Sequence, residues 1–207
     1  MEQDENNKIG LKDKIIKLYN FHKFKIHLFF GIIIFMLLAI IMLVIGIAIK
    51  LSSKGSVLYR SDRVGKNNKI FQMPKFRSML IDTPPLATHL LDNPNAYLSP
   101  IGGFLRRTSF DEFPQIFSVL KGDMSLVGPR PALFNQNDLI ALRTEKGVHK
   151  LIPGITGWAQ VNGRDNLSIP EKVAFDIEYL NRQSFWFDMK ILWMTFLKVI
   201  KRDDVSH

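Results

Sequence analysis

Apolar residues fall into three rhythms along this chain, and each rhythm predicts a different element. Leu28 to Ile49 (LFFGIIIFMLLAIIMLVIGIAI) is uncharged and almost wholly aliphatic or aromatic. That run is roughly the ~20 residues a helix needs to cross the hydrocarbon core of a bilayer. A helix buried in a soluble core would keep a polar face, and this run has none. A membrane helix is therefore predicted over residues 26–50. A cleaved signal peptide is not expected, because the run is too long and a polar stretch of about 25 residues precedes it.

The second rhythm is alternation. GSVLYRSDRVG and NKIFQMPKFRSM exchange β-formers with turn residues, which predicts a short hairpin ending near Lys75 to Met79. Pro84, Pro85, Pro94 and Pro100 then mark a loop over 82–100, with a short helix around Ala87 to Leu91.

The third rhythm is helical. Leu105, Phe110, Phe113, Ile116, Phe117 and Leu120 predict a helix from Ile101 to Leu120, kinked at Pro114, with Asp111 and Glu112 on or beside it. A second amphipathic helix is predicted over Asn135 to Lys150, then a Gly-rich loop (IPGITGWAQVNGRD) holding Trp158 and Arg164, then a helix from Pro170 to Arg182. The last stretch, SFWFDMKILWMTFLKVIKR, interleaves aromatic and aliphatic residues with Lys190, Lys198, Lys201 and Arg202. It fits a helix lying in a lipid interface and equally a core helix with a solvated basic face. The expected fold class is α+β, mainly helical. Residues 1–25 are expected to form a cytoplasmic N-terminal segment, 26–50 a membrane helix, and 51–207 a compact domain with a short β-hairpin and interfacial amphipathic helices.

Composition narrows the function classes. The 207 residues hold one ordinary domain plus an extra element. The absence of cysteine removes disulfides, thiolate metal sites and cysteine nucleophiles. A net charge of +9 suits phosphate-rich partners: nucleic acid, anionic lipid or a nucleotide substrate. Basic residues flank the apolar run on both sides, at Lys12, Lys14, Lys17, Lys23 and Lys25 and at Lys50, Lys54, Arg60 and Arg63. Such flanks fit a helix that returns to its own face and also a plain crossing; either way the domain after residue 50 is placed in the cytoplasm.

The candidate chemistry lies in RRTSFDEFPQIFSVLKGDMSLVGPRP, from Arg106 to Pro131. Asp111 and Glu112 follow Arg106 and Arg107, and Arg130 comes next in a turn stiffened by two prolines. Guanidinium groups match phosphate oxygens, so arginines gathered around carboxylates suggest a phosphorus centre between them. A diphosphate repels an incoming carboxylate unless cations neutralise it. Arginines supply part of that charge, and Mg²⁺ held by one carboxylate and the substrate phosphates supplies the rest, leaving the other carboxylate to attack. Lys75 and Arg77 are candidates to hold the nucleotide or the lipid phosphate, and Asp176 and Asp188 are further polar candidates. The five histidines lack metal-ligand spacing, and no GxxxxGK[ST], GxGxxG or GxSxG occurs.

KFRSM (Lys75 to Met79), RRTSFDEFPQ (Arg106 to Gln115), LKGDMSLVGPRP (Leu120 to Pro131) and PGITGWAQVNGRD (Pro153 to Asp165), in this order, closely resemble the bacterial initiating sugar transferases. These are small monotopic polyprenyl-phosphate phosphoglycosyl transferases. The resemblance covers about residues 50–207. It implies an enzyme of the bacterial inner membrane, its catalytic domain on the cytoplasmic face. Such an enzyme moves a sugar 1-phosphate from a UDP-sugar to undecaprenyl phosphate, releases UMP and opens polysaccharide or glycoconjugate assembly for downstream glycosyltransferases. Asp111 would be the nucleophile of a ping-pong reaction and Glu112 the Mg²⁺ ligand. Lys75, Arg106, Arg130, Arg164, Asp176 and Asp188 match polar positions implicated in the family's function. No nucleic-acid partner is implied.

Two positions depart from the family pattern. Members commonly carry a Ser-Pro pair midway through a re-entrant membrane helix, where this chain reads LLAIIML. Many also carry Arg just before PGITG, where this chain has Ile152. DTPPLATHLL (82–91) and ALFNQNDLIAL (132–142) look like the branch acting on N-acetylated amino-deoxy sugars. The rival class is a membrane-anchored basic module that binds anionic lipid or nucleic acid without catalysis. It explains the charge and the apolar run but gives no reason for DEFPQ between Arg106 and Arg130.

Overall fold

The computed structural model describes residues 29, 33, 35–84, 93–163 and 166–201. It is an α+β chain, mostly helical, in two units that divide between Ile45 and Gly46. Among the described residues one helix, α1 (Phe35–Ser52), has the length and apolar composition to cross a membrane. The short helix expected at Ala87 to Leu91 lies outside the described residues.

The alternating segments form the hairpin, as β1 (Leu58–Val64) and β2 (Ile70–Phe76), in register from Leu58 opposite Phe76 to Val64 opposite Ile70. Asn67 and Asn68 take positive φ in its turn, at 54° and 59°. Asparagine tolerates that region better than other side chains. Phe110–Gln115, a 3-10 turn, packs on β2 and brings the acidic pair to the strand that carries Lys75.

The single kinked helix expected over Ile101 to Leu120 is three pieces: α2 (Gly102–Arg107), the 3-10 turn, and α3 (Ile116–Lys121). The break comes at Ser109, whose backbone is left-handed at φ 56°, five residues before the proline that was expected to cause it. Pro114 has no N–H and its ring opposes an α-turn through Phe110, so the tighter 3-10 winding takes over. Phe110 sits between Phe104 and Phe113, at ring separations of 5.9 and 4.9 Å, which anchors the turn to the end of α2.

Three further strands are absent from the sequence reading. β4 (Ala132–Leu133) pairs with β1, making a three-stranded sheet in the order β2-β1-β4. β3 (Ser125–Val127) pairs in parallel with β5 (Gly154–Thr156), inside what reads as a Gly-rich loop. The crossover between them contains α4 (Asn137–Glu145), shorter than expected because Gly147 turns left-handed just beyond its end. A single helical turn, α5 (Trp158–Val161), follows β5.

α6 (Ile169–Arg182) opens on a capping box in which Ser168 and Glu171 satisfy each other's backbone N–H. Its inner face meets two apolar clusters. Val173 joins Ala132 and Leu139, while Tyr179 joins Val127, Trp158, Val161, Phe187 and Ile191. Phe187 and Ile191 come from α7 (Phe185–Lys201), which thus supplies a core stripe. Its outer side is not merely basic, since Trp186 is 79% and Trp193 61% exposed, with Phe185 and Phe196 exposed as well.

Candidate active site

Lys75 stands on β2 opposite Tyr59, and its Nζ lies 2.8 Å from Glu112 Oε1. Arg130 Nη2 reaches the same oxygen at 2.8 Å. Burial pushes the Glu112 carboxyl upward, but the charges and hydrogen bonds of Arg130 and Lys75 outweigh it and hold the group well below the usual carboxylate range. Glu112 is therefore ionised and clamped. The Lys75 ammonium is lowered by its burial, with Glu112 opposing.

Asp111, next in the chain, is treated differently. It is 8% exposed, and no hydrogen bond to its carboxylate occurs among the described residues. Burial raises its proton affinity and Glu112 adds to the rise, while Lys75, Arg106 and Arg130 oppose it. A carboxylate that is desolvated and left without donors is more basic and more nucleophilic than an exposed one. Arg106 lies close enough to act on Asp111 electrostatically, and its Nε donates to Ser78 Oγ at 3.0 Å.

The turn that presents Arg130 is held from three sides. Gly154 N donates to Pro129 O at 3.0 Å, Arg143 Nη1 to Arg130 O at 2.8 Å, and Arg63 Nη1 to Pro131 O at 3.2 Å. Three consecutive carbonyls thus take donors from the PGITG segment, α4 and β1. The two loops touch backbone to backbone: a Cβ on Gly128 would run into Ile152 O, and one on Gly154 into Gly128 N. Glycine at both places lets the GPRP turn lie directly on the PGITG segment.

Other expected site residues face elsewhere. Arg77 is buried and turns to the end of α1, donating to Lys54 O, to Ser53 O at 3.0 Å and to Ser53 Oγ at 2.9 Å. Asp176 pairs with Arg143, at 2.7 Å to Nη2 and 2.9 Å to Nε. Burial raises its proton affinity, against the Arg143 charge. Asp188 accepts from Tyr179 OH at 2.8 Å. Arg164 lies outside the described residues. Lys75, Arg106, Arg130, Asp111 and Glu112 therefore form one group, with Asp176 joined to it through Arg143 and Asp188 paired with Tyr179.

Sequence reading missed Arg143 and Arg63. Arg143 stands four residues after buried Leu139 on α4, so it shares the inward face; a cation at that register was the available signal. Arg63 stood among the flanking basic residues. Its guanidinium is pulled down to about 10, by burial first and then by Arg130.

Comparison with known proteins places the sequence in a family. The bacterial sugar transferase profile fits residues 9–202. The chain belongs to the bacterial sugar transferase family. Among its relatives is the UDP-glucose:undecaprenyl-phosphate glucose-1-phosphate transferase of Escherichia coli (strain K12), 42% identical over 174 residues, or 80% of this chain and 37% of that protein. The uncharacterized sugar transferase EpsL of Bacillus subtilis (strain 168) is 39% identical over 179 residues, 86% of this chain and 82% of that one. The undecaprenyl-phosphate galactose phosphotransferase of Salmonella typhimurium (strain LT2) is 36% identical over 166 residues, 72% of this chain and 34% of that one. The chain thus spans about a third of the Escherichia and Salmonella proteins and most of the Bacillus one.

Proposed function

We propose that this protein transfers a sugar 1-phosphate from a UDP-sugar to undecaprenyl phosphate, releasing UMP, through a covalent intermediate on Asp111. The observation that carries the reading is the contrast within the acidic pair. Glu112 is ionised and held by two cations, whereas Asp111, beside it, lacks donors among the described residues and has its proton affinity raised.

An Asp111 carboxylate oxygen attacks the sugar-bearing phosphorus of the donor. The bond from that phosphorus to the bridging oxygen breaks, and UMP leaves with the electron pair. A phosphate oxygen of undecaprenyl phosphate then attacks the same phosphorus, freeing the Asp111 carboxylate and giving the lipid diphosphate sugar. Lys75, Arg106 and Arg130 lower the repulsion between the donor diphosphate and the nucleophile. Left-handed Ser109 and the 3-10 winding fix the direction of Asp111, a local constraint of the kind found at reacting groups.

Among the described residues no group of three or more His, Cys, Asp or Glu side chains could hold a metal alone. That fits Mg²⁺, which commonly takes one or two carboxylates plus substrate phosphates and water. Glu112 would be its protein ligand. Bound there, Mg²⁺ would neutralise diphosphate charge.

The donor is read as an N-acetylated amino or amino-deoxy hexose, from residues 82–91 and 132–142. Two of the relatives are named for glucose and for galactose transfer, so those two UDP-sugars are the competing donors. The catalytic unit is placed on the cytoplasmic face of the inner membrane. An apolar α1 and the exposed aromatic side of α7 support the membrane part of that placement, while the cytoplasmic face rests on the basic residues flanking the apolar run. With Trp158 changed to Phe, brominated lipid should quench Trp186 and Trp193; no quenching would remove α7 from the interface.

The reaction is tested with purified protein in lipid nanodiscs, undecaprenyl phosphate and Mg²⁺, against a panel of UDP-sugars. UMP release dependent on both substrates is expected, fastest with an N-acetylated donor. Release from UDP-glucose or UDP-galactose alone would overturn the amino-sugar reading. No release from any donor, with salt-sensitive binding to DNA or anionic vesicles, would return the protein to the non-catalytic class.

A further inference from the structure

Resting on the transferase reading above, we propose that Arg143 is a positioning residue that sets the direction of Arg130 through the backbone and so keeps its guanidinium on Glu112. Nothing in the sequence motifs marks Arg143 for this role. The inference stands on its three contacts.

A side chain leaves its Cα in a direction fixed by the two peptide planes that meet there. At Arg130 both planes are held. Gly154 N fixes the first through Pro129 O at 3.0 Å, and Arg143 Nη1 fixes the second through Arg130 O at 2.8 Å. Prolines on either side narrow the remaining freedom. Along the direction so defined, Nη2 of Arg130 meets Glu112 Oε1 at 2.8 Å.

Arg143 is itself immobilised. Nε and Nη2 lie 2.9 and 2.7 Å from Asp176 Oδ2, and Asp176 is 1% exposed on the inner face of α6. A buried carboxylate needs a cation, but that need would be met by the ion pair alone. The third nitrogen, spent on Arg130 O, ties the pair to the site. Only a planar fork can serve both ends. A lysine at this position keeps the charge near Asp176 and gives up the carbonyl. Tyr179, three residues after Asp176 on the same face, sends a weaker contact of 3.4 Å to Val127 O, at the other end of the same turn. α6 therefore backs the GPRP turn at two points, one direct and one through Arg143.

The test uses the full chain in nanodiscs and four proteins: wild type, Arg143→Lys, Arg130→Lys and the double variant. If Arg143 acts through Arg130, the two substitutions are non-additive. Arg143→Lys should lower kcat/KM for the donor by roughly tenfold or more, a loss typical of a displaced catalytic group. In the Arg130→Lys background the same change should cost less than about threefold. Equal losses in both backgrounds would overturn the proposal.

Hydrogen exchange of the peptide spanning 124–134 supplies a readout that needs no activity. It should quicken in Arg143→Lys while the β1–β2 hairpin stays as protected as in wild type. Unchanged exchange in the turn would also overturn the proposal. Wild-type protein that releases no UMP from any donor defeats the transferase reading instead, and exchange alone then decides the brace. Should Arg143→Lys fail to fold, Asp176→Asn, whose carboxamide keeps the shape of the carboxylate while freeing the guanidinium, takes its place in the same cycle.

Discussion

Glu112 and Arg130, eighteen positions apart, meet at 2.8 Å, and the oxygen they share is also the one that Lys75 approaches. One carboxylate with two cations cannot serve as a free nucleophile. Its neighbour Asp111 can, because burial has raised its basicity while the cations stand close by. Adjacent residues of like charge are thereby given unlike chemistry.

A pH profile follows from that contrast. The Asp111 carboxyl must be ionised to attack, so the acid limb of kcat/KM should report it and lie above the ordinary aspartate value of 3.8. Glu112 cannot supply this limb, being held far lower. Lys75 opposes the rise at Asp111, so Lys75→Met should carry the limb of the residual activity further up. UMP release measured across pH checks the sign; a limb that stays put or moves down would contradict it.

Arg77 offers a separation between holding the fold and holding substrate. Its guanidinium is spent on Ser53 and Lys54 at the end of α1. Arg77→Leu should therefore cost about 1–3 kcal/mol of stability, through carbonyls and a hydroxyl left without their donor. Below the melting range the donor and lipid KM should stay unchanged. A KM that rises severalfold at low temperature would return Arg77 to the substrate contacts.

Gly154 makes a sharper packing prediction. A methyl there meets Gly128 N, Thr156 O and Val127 C, all backbone, none able to swing aside. Gly154→Ala should destabilise by at least about 1–3 kcal/mol and shift the GPRP turn. Gly103→Ala is the control, since its Cβ would meet only Leu98 Cδ1 at an ordinary 3.8 Å. Thermal unfolding should separate the two; similar midpoints would show that the loops are not in tight contact.

Much of this site was legible in sequence because its parts are local. Asp111 and Glu112 stand together with Arg106 one turn earlier, and the hairpin that carries Lys75 announces itself by alternation. What stayed hidden depends on contacts across the chain. β3 and β5 are three residues each and pair in parallel over a long crossover, so neither has the length or alternation that marks a strand. The Ile101 to Leu120 segment has helical spacing throughout, and left-handed Ser109 with the 3-10 winding around Pro114 breaks it. Arg143 reads as one more surface cation until Asp176 and Arg130 O are seen beside it. Asp176 and Asp188 stand out in sequence only as polar candidates for the site; that one pairs with Arg143 and the other with Tyr179 depends on contacts between elements.

The covalent step decides the central claim. Protein incubated with a reactive UDP-sugar and Mg²⁺, without undecaprenyl phosphate, should gain the mass of one sugar phosphate. Peptide mass spectrometry should place it on Asp111, and Asp111→Asn should gain nothing while melting near wild type. Wild-type protein that turns over both substrates but never carries the adduct, or an Asp111→Asn variant that still releases UMP at a near-normal rate, would contradict the account.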